Sequence, residues 1–254
     1  MMRRILTIAL STFREAARSR LFLAVLGFAL LCLLGVTPYA HATIGEPVLV
    51  VKSIGIAGAS LCSVLTVMIA GATFLEKDLR RKTIVIFLAR PLRRWELLLG
   101  RFLGLSLVGS FVHLLITVMT IGYCSLLDNG NLDWLLLWGI PGNISEVVIV
   151  AAITIFFSTI VVTPVLNGSA ALCLFIAGRS HSWIEASLDA IDLSFVSLFS
   201  SLIPDLERLY VGNGLLYSEV PSTLKLVYSI TYGIHFAAGL LCLSAILFQR
   251  RDIP

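Results

Sequence analysis

The chain has 254 residues, of which 58% are hydrophobic and 13% charged, with a mean hydropathy of +0.96. Soluble domains carry about 25% charged residues, so this composition excludes an ordinary water-soluble protein and points to a membrane. The formal charge of +4 comes from 19 Lys and Arg against 15 Asp and Glu; the uneven placement of these residues follows the orientation rule for membrane spans and calls for no nucleic-acid partner.

Residues 1–20 read as an amphipathic helix. At about 100° per residue, Arg3, Arg4, Thr7, Ser11, Arg14, Glu15 and Arg18 share a sector of roughly 120°, while Ile5, Ile8, Ala9, Leu10, Phe13 and Ala17 lie opposite. Such a helix is expected to lie flat in the membrane interface, with Arg3, Arg4, Arg14 and Arg18 among the headgroups, and to turn into the first span near Ser19 and Arg20. Arg14, Glu15, Arg18 and Arg20 interrupt any secretory-signal pattern and no small-residue cleavage site follows, so the segment is expected to be retained.

The rest of the chain, 21–254, is expected to be all-α and polytopic. With about 1.5 Å of rise per residue and a hydrocarbon core of about 30 Å, six spans are predicted at 21–38, 54–75, 102–126, 147–166, 168–184 and 226–248. Arg179 and His181 fall within the fifth, where Arg179 must snorkel or face protein. Five basic residues precede the first span: Arg3, Arg4, Arg14, Arg18 and Arg20. Lys77, Arg80, Arg81, Lys82, Arg90, Arg93, Arg94 and Arg101 follow the second, and Arg250 and Arg251 follow the sixth. Both termini are therefore expected in the cytoplasm. The stretch around Asp128, Asn129, Asp133, Trp134 and Trp138 has no Lys or Arg and suits the outer face, with the tryptophans at headgroup depth.

Small residues mark close helix contacts at Gly55, Ala59 and Ser63, at Gly100 and Gly104, and at Gly233 and Ala237. His113 and His235 lie within spans, each expected as a neutral imidazole bonded to a neighbouring helix. Arg179 and Glu185 flank His181 as either a gate or an interfacial end. No Asp or Glu lies deep in the five clearer spans, which argues against a proton- or sodium-coupled carrier. Region 185–225 alternates apolar pieces with breaks at Pro204, Gly212, Gly214 and Pro221, and is expected outside as interfacial or re-entrant helices packed on the bundle.

Motifs for chemistry are sparse. Cys32, Cys62, Cys124, Cys173 and Cys242 sit in apolar runs at irregular spacing, unlike zinc ligands or a disulfide framework. The sequence lacks G-x-x-x-x-G-K-S/T, H-E-x-x-H and G-x-S-x-G. Gly58-Ala59-Ser60 and Gly104-Leu105-Ser106, taken with His235, imitate a Ser-His dyad, but Gly and Ser are common in helix interfaces and the packing reading is preferred.

The most informative stretch is the basic loop of about 75–101, within EKDLRRKTIVIFLARPLRRWELLLGR. Pro91 biases Arg90 away from helix, so a short lateral helix is expected before the lead-in to the third span. This stretch resembles the permease subunits of ABC-2 type transporters, as do the amphipathic start, IPDLERL before the last span and the terminal LFQRRDI. Arg101 stands where that family more often has Lys. The resemblance implies a non-catalytic transmembrane permease, an exporter of the bacterial inner membrane, paired with a second permease copy, identical or related. It also implies a coupling helix docked on a separate ABC ATPase, which would bind ATP and Mg; this chain itself would carry no cofactor. The implied ATPase contacts are Glu76, Lys77, Asp78, Arg80, Arg81 and Lys82, with Arg90, Arg93, Arg94 and Glu96 on the return to the membrane. A mixed-charge helix start and the apolar TIVIFLA suit docking on a soluble protein. The alternative is a mechanotransmitter or assembly component that passes ATPase motion to an extracytoplasmic partner through 185–225. An ATP-independent carrier or intramembrane enzyme fits less well.

Overall fold

The structure is a computed structural model that describes residues 2–42, 46–80, 94–128, 130–161, 163–189, 203–210, 212–217 and 220–250. Among the described residues every regular element is helical: α1 (Met2–Ala17), α2 (Arg20–Ala42), α3 (Pro47–Arg80), α4 (Arg94–Leu127), a 3-10 turn (Trp134–Gly139), α5 (Ile140–Ile160), α6 (Pro164–Arg179), α7 (His181–Asp189), α8 (Gly212–Leu216) and α9 (Thr223–Arg250). The all-α polytopic class is the one expected from composition.

The amphipathic start folds as α1, and its polar sector is exposed at Arg3, Arg4, Arg14 and Arg18. Its apolar side is wider than one groove. Ile8, Ala9, Thr12 and Ala16 are buried against α4, whereas Leu6 and Leu10 point outward. The seat on α4 is made by two glycines: a Cβ on Gly100 would lie 2.7 Å from Ile8 Cβ, and one on Gly104 would lie 2.5 Å from Thr12 Cβ. The chain then bends by 56° into α2, and Ser19 caps the new helix by accepting the Phe22 N–H through its hydroxyl at 3.3 Å.

Helices α3 and α4 have 34 residues each. At about 1.5 Å per residue they are about 51 Å long, well beyond a hydrocarbon core of about 30 Å. They pack along each other, close enough that a Cβ on Gly55 would fall 2.2 Å from Thr120 Cγ2. Gly109 of α4 meets both Val67 of α3 and Val147 of α5, at 2.5 and 2.6 Å from an added Cβ. The small residues noted in the sequence are thus contact points, Gly233 included, whose Cβ would sit 3.0 Å from Ser145.

Helix α5 is the centre of the bundle. Val150, Ala151, Ala152, Ile153 and Thr154 are all at 0% exposure, and five consecutive residues cover every face of a helix, so α5 is surrounded on all sides. At its N-terminal end Asp133 accepts the Leu135 N–H at 3.1 Å and pairs with Lys52 of α3. Trp134 and Trp138 are exposed there, as an aromatic belt requires.

Among the described residues the count of six spans is not confirmed. Among the described residues four helices are long and apolar enough to cross a bilayer, namely Pro47–Thr73, Trp95–Leu127, Trp134–Ile160 and Thr223–Phe248, with a fifth when the bent pair Met2–Ala17 and Phe22–Val36 is counted as one span. The predicted fifth span, 168–184, overlaps α6, which has 16 residues and covers about 24 Å. It stops at Arg179, and α7 starts anew at His181. The described part of region 185–225 returns into the bundle: Leu206 and Leu209 are fully buried in the main core, and Leu215 of α8 packs with Ile56, Ile121 and Leu136.

Candidate functional site

The end of α6 lies beside the first third of α5 for a simple reason. The two helices are joined by three residues and pack together. Glu146 is 14 residues before the end of α5 and Arg179 is 15 residues after the start of α6, so the connection brings both to the same height. They form a salt bridge with Arg179 Nη1 donating to Glu146 Oε1 at 2.5 Å. The other carboxylate oxygen, Oε2, accepts the Ser60 hydroxyl of α3 at 2.8 Å. On the far side the guanidinium carbon stands 3.9 Å from the centroid of the Tyr210 ring, a cation–π arrangement. Four pieces of chain therefore meet at one carboxylate and one guanidinium.

The centre lies well inside the apolar spans. Ser60 is the midpoint of Pro47–Thr73, and Glu146 is one residue from the midpoint of Trp134–Ile160. Glu146 is 1% exposed and Arg179 is 29% exposed. A charged pair at this depth is costly and persists only when its members satisfy each other and neighbouring groups. Both carboxylate oxygens are in fact occupied.

A second polar cluster lies one turn away along α5. Asn143, three residues before Glu146 and on the same face, places Nδ2 3.2 Å from Nε2 of His113 on α4, and Thr117 Oγ1 is 3.5 Å from the same nitrogen. With the amide donating, Nε2 accepts and the imidazole is neutral, which is the arrangement expected for His113. His235 differs: it is exposed, and its Nδ1 meets Thr231 O of its own helix at 2.7 Å.

Segment 203–210 is clasped to the end of α6. The Leu206 N–H donates to Gly178 O at 3.1 Å, and a Cβ on Gly178 would fall 2.5 Å from Pro204 O, so only glycine admits the segment this closely. The Ser182 N–H donates to Glu207 Oε2 at 3.1 Å, and hydrogen bonds from Ser182 hold the Glu207 carboxyl below its usual range. The Asp205 N–H donates to the Tyr232 hydroxyl of α9 at 2.9 Å.

Two sequence expectations change here. An acid does lie deep in a clear span: the predicted fourth span began at 147, but the helix starts earlier, at Ile140 with Pro141 in its first turn, and takes Glu146 inside. Arg179 pairs with Glu146 across helices, while Glu185 sits 3.6 Å from His181 within α7. Ser60 and Tyr210 were not singled out as partners of a charge.

The loop candidates are placed in part. Glu76, Lys77, Asp78 and Arg80 belong to the last turns of α3, and Arg94 opens α4; Arg81, Lys82, Arg90, Arg93 and the break expected at Pro91 lie outside the described residues. Glu96, in the first turn of α4, is 4% exposed. Arg101, one turn further, reaches Thr12 Oγ1 at 3.5 Å and Glu15 Oε2 at 3.9 Å on α1. Among the described residues no group of three or more His, Cys, Asp or Glu is placed to hold a metal ion.

The chain is similar to the family described as ABC-2 family transporter protein over residues 6–178, a stretch that contains the basic loop and Glu146 and stops before Arg179, IPDLERL and LFQRRDI. No curated protein matches it.

Proposed function

The chain belongs to the ABC-2 family of transporter proteins, and from that premise we propose that it is the permease of an ATP-driven exporter whose ATP is hydrolysed on a separate subunit. The observation that carries this reading is the pair α3 and α4. Each is about 20 Å longer than the hydrocarbon core is thick, and the basic stretch 75–101 runs from the end of α3 into the start of α4. Lys and Arg in that loop favour the cytoplasmic side, as do the basic residues before the first span and after the last for the two termini; the inner membrane of a bacterium is what the family resemblance implies. A soluble ATPase is then the partner within reach, and no phosphate-binding loop exists in the chain to replace it. Such a subunit forms no bonds with substrate and binds no cofactor; ATP and Mg belong to the ATPase.

Drive comes from the higher affinity of ATP for the closed ATPase pair. Motion of the docked loop tilts α3 and α4 as levers, in a dimer of permeases whose shared interface alternates between inward and outward access. Ser60 lies on α3 and bonds Glu146, so a tilt of α3 acts on the charged centre directly. Purification from the native host in mild detergent tests the reading: an ABC ATPase recovered in equal amount with this chain is expected, and recovery of the chain with no ATPase under several detergents contradicts it.

A second reading is favoured by the seating of 203–210 on the same centre. Through it ATPase motion reaches region 185–225 and an extracytoplasmic partner, with mechanical work replacing transport. Capture of a periplasmic protein in stoichiometric amount by the same purification selects this reading.

A further inference from the structure

We propose that the Glu146–Arg179 pair is a latch that seats segment 203–210 inside the bundle, with Arg179 as its moving part and Glu146 as its anchor. The anchor is built into rigid structure: Glu146 is 1% exposed on the surrounded helix α5 and is bonded by Ser60 of α3. The moving part is at a chain break. Arg179 is the last residue of α6, its guanidinium carbon stands 3.9 Å from the centroid of the Tyr210 ring, and Gly178 beside it accepts the Leu206 N–H through its carbonyl. Position and partners therefore make Arg179 the link between the fixed centre and the clasped segment.

Charge decides the direction of opening. A guanidinium stays ionised at any pH met by a protein, so once Glu146 no longer holds it Arg179 must find water or another anion. Its own side chain is already 29% exposed while Glu146 is not, so Arg179 leaves and the carboxylate stays. Leaving withdraws the cation from under Tyr210 and pulls on Gly178, where a close backbone contact with Pro204 and Leu206 leaves no slack. The segment then loses its seat at one end while Leu206 and Leu209, both at 0% exposure, come within reach of solvent. The neutral His113–Asn143–Thr117 cluster bonds α4 to α5 and takes no part in this step.

The latch is independent of what drives the protein, and its test needs no ATPase. In a chain whose five cysteines are replaced by alanine or serine, one cysteine is placed either at Leu206 or at Ile153, both fully buried, and labelling by a water-soluble maleimide is timed in membranes. Glu146→Gln is expected to raise the labelling rate at Leu206→Cys by roughly tenfold or more and to leave Ile153→Cys slow, as local opening does. The paired exchange Glu146→Arg with Arg179→Glu is expected to bring the Leu206→Cys rate back toward its starting value. An unchanged rate at Leu206→Cys in Glu146→Gln overturns the proposal. So does an equal rise at both positions, because the pair would then support the bundle as a whole.

Discussion

At the scale of single residues the account turns on one buried carboxylate. Glu146 has both oxygens bonded and an arginine against it; removing one member of such a pair leaves the other as an uncompensated charge. Glu146→Ala is expected to cost about 3–5 kcal/mol, while replacing both residues with apolar ones of similar size comes out near neutral or stabilising. Thermal melts of purified Glu146→Ala and of Glu146→Leu with Arg179→Met check this: the single variant melts well below the parent and the double close to it. Equal losses in both would mean that something other than pairing holds the site. The pair was only half legible in the sequence. Arg179 stood out as a charge inside an apolar run, but Glu146 sits behind Pro141, Gly142 and Asn143, whose low hydropathy moved the apparent start of the span past it. A usable signal was present, since opposite charges 14 and 15 residues either side of a three-residue break face each other in antiparallel helices.

Among the elements, α1 shows what periodicity can and cannot settle. Its polar and apolar sectors were readable at a helical period, yet an apolar sector is satisfied equally by lipid and by another helix. The structure divides it, with Ile8 and Thr12 on the glycines of α4 and Leu6 and Leu10 outward. Gly104→Val places a Cβ against Thr12 and Ala9 O, at 2.5 and 2.8 Å. Over-packing of this kind costs about 1–3 kcal/mol, and α1 is expected to lift off, with trypsin cutting at Arg14 or Arg18 several-fold faster in membranes. An unaltered cleavage rate would contradict the glycine seat. The fifth span stays unconfirmed for a related reason. Hydropathy could not distinguish a 16-residue apolar helix that ends at Arg179 from a longer crossing that runs on through His181, because the residues on both sides of the break are apolar on average.

Taken as a whole, the molecule is a surrounded central helix, two long helices packed on it, and a return segment clasped to α6 whose α8 packs on those two helices. The class was legible from composition, and the family from the loop; the match over 6–178 leaves the clasp and α9 beyond it. The lever geometry came only from the structure, since a 34-residue helix looks the same in sequence as a span followed by a loop. Orientation follows from charge: a fluorescent protein fused after Pro254 is expected to fluoresce and a fused periplasmic phosphatase to stay inactive, the reverse pattern contradicting cytoplasmic termini. The central claim is that the loop between α3 and α4 is where an ATPase takes hold. Deleting 76–82 and repeating purification from the native host is its most direct test. The account predicts a folded, membrane-inserted permease that no longer brings down the ATPase, and retention of the ATPase in stoichiometric amount would contradict it.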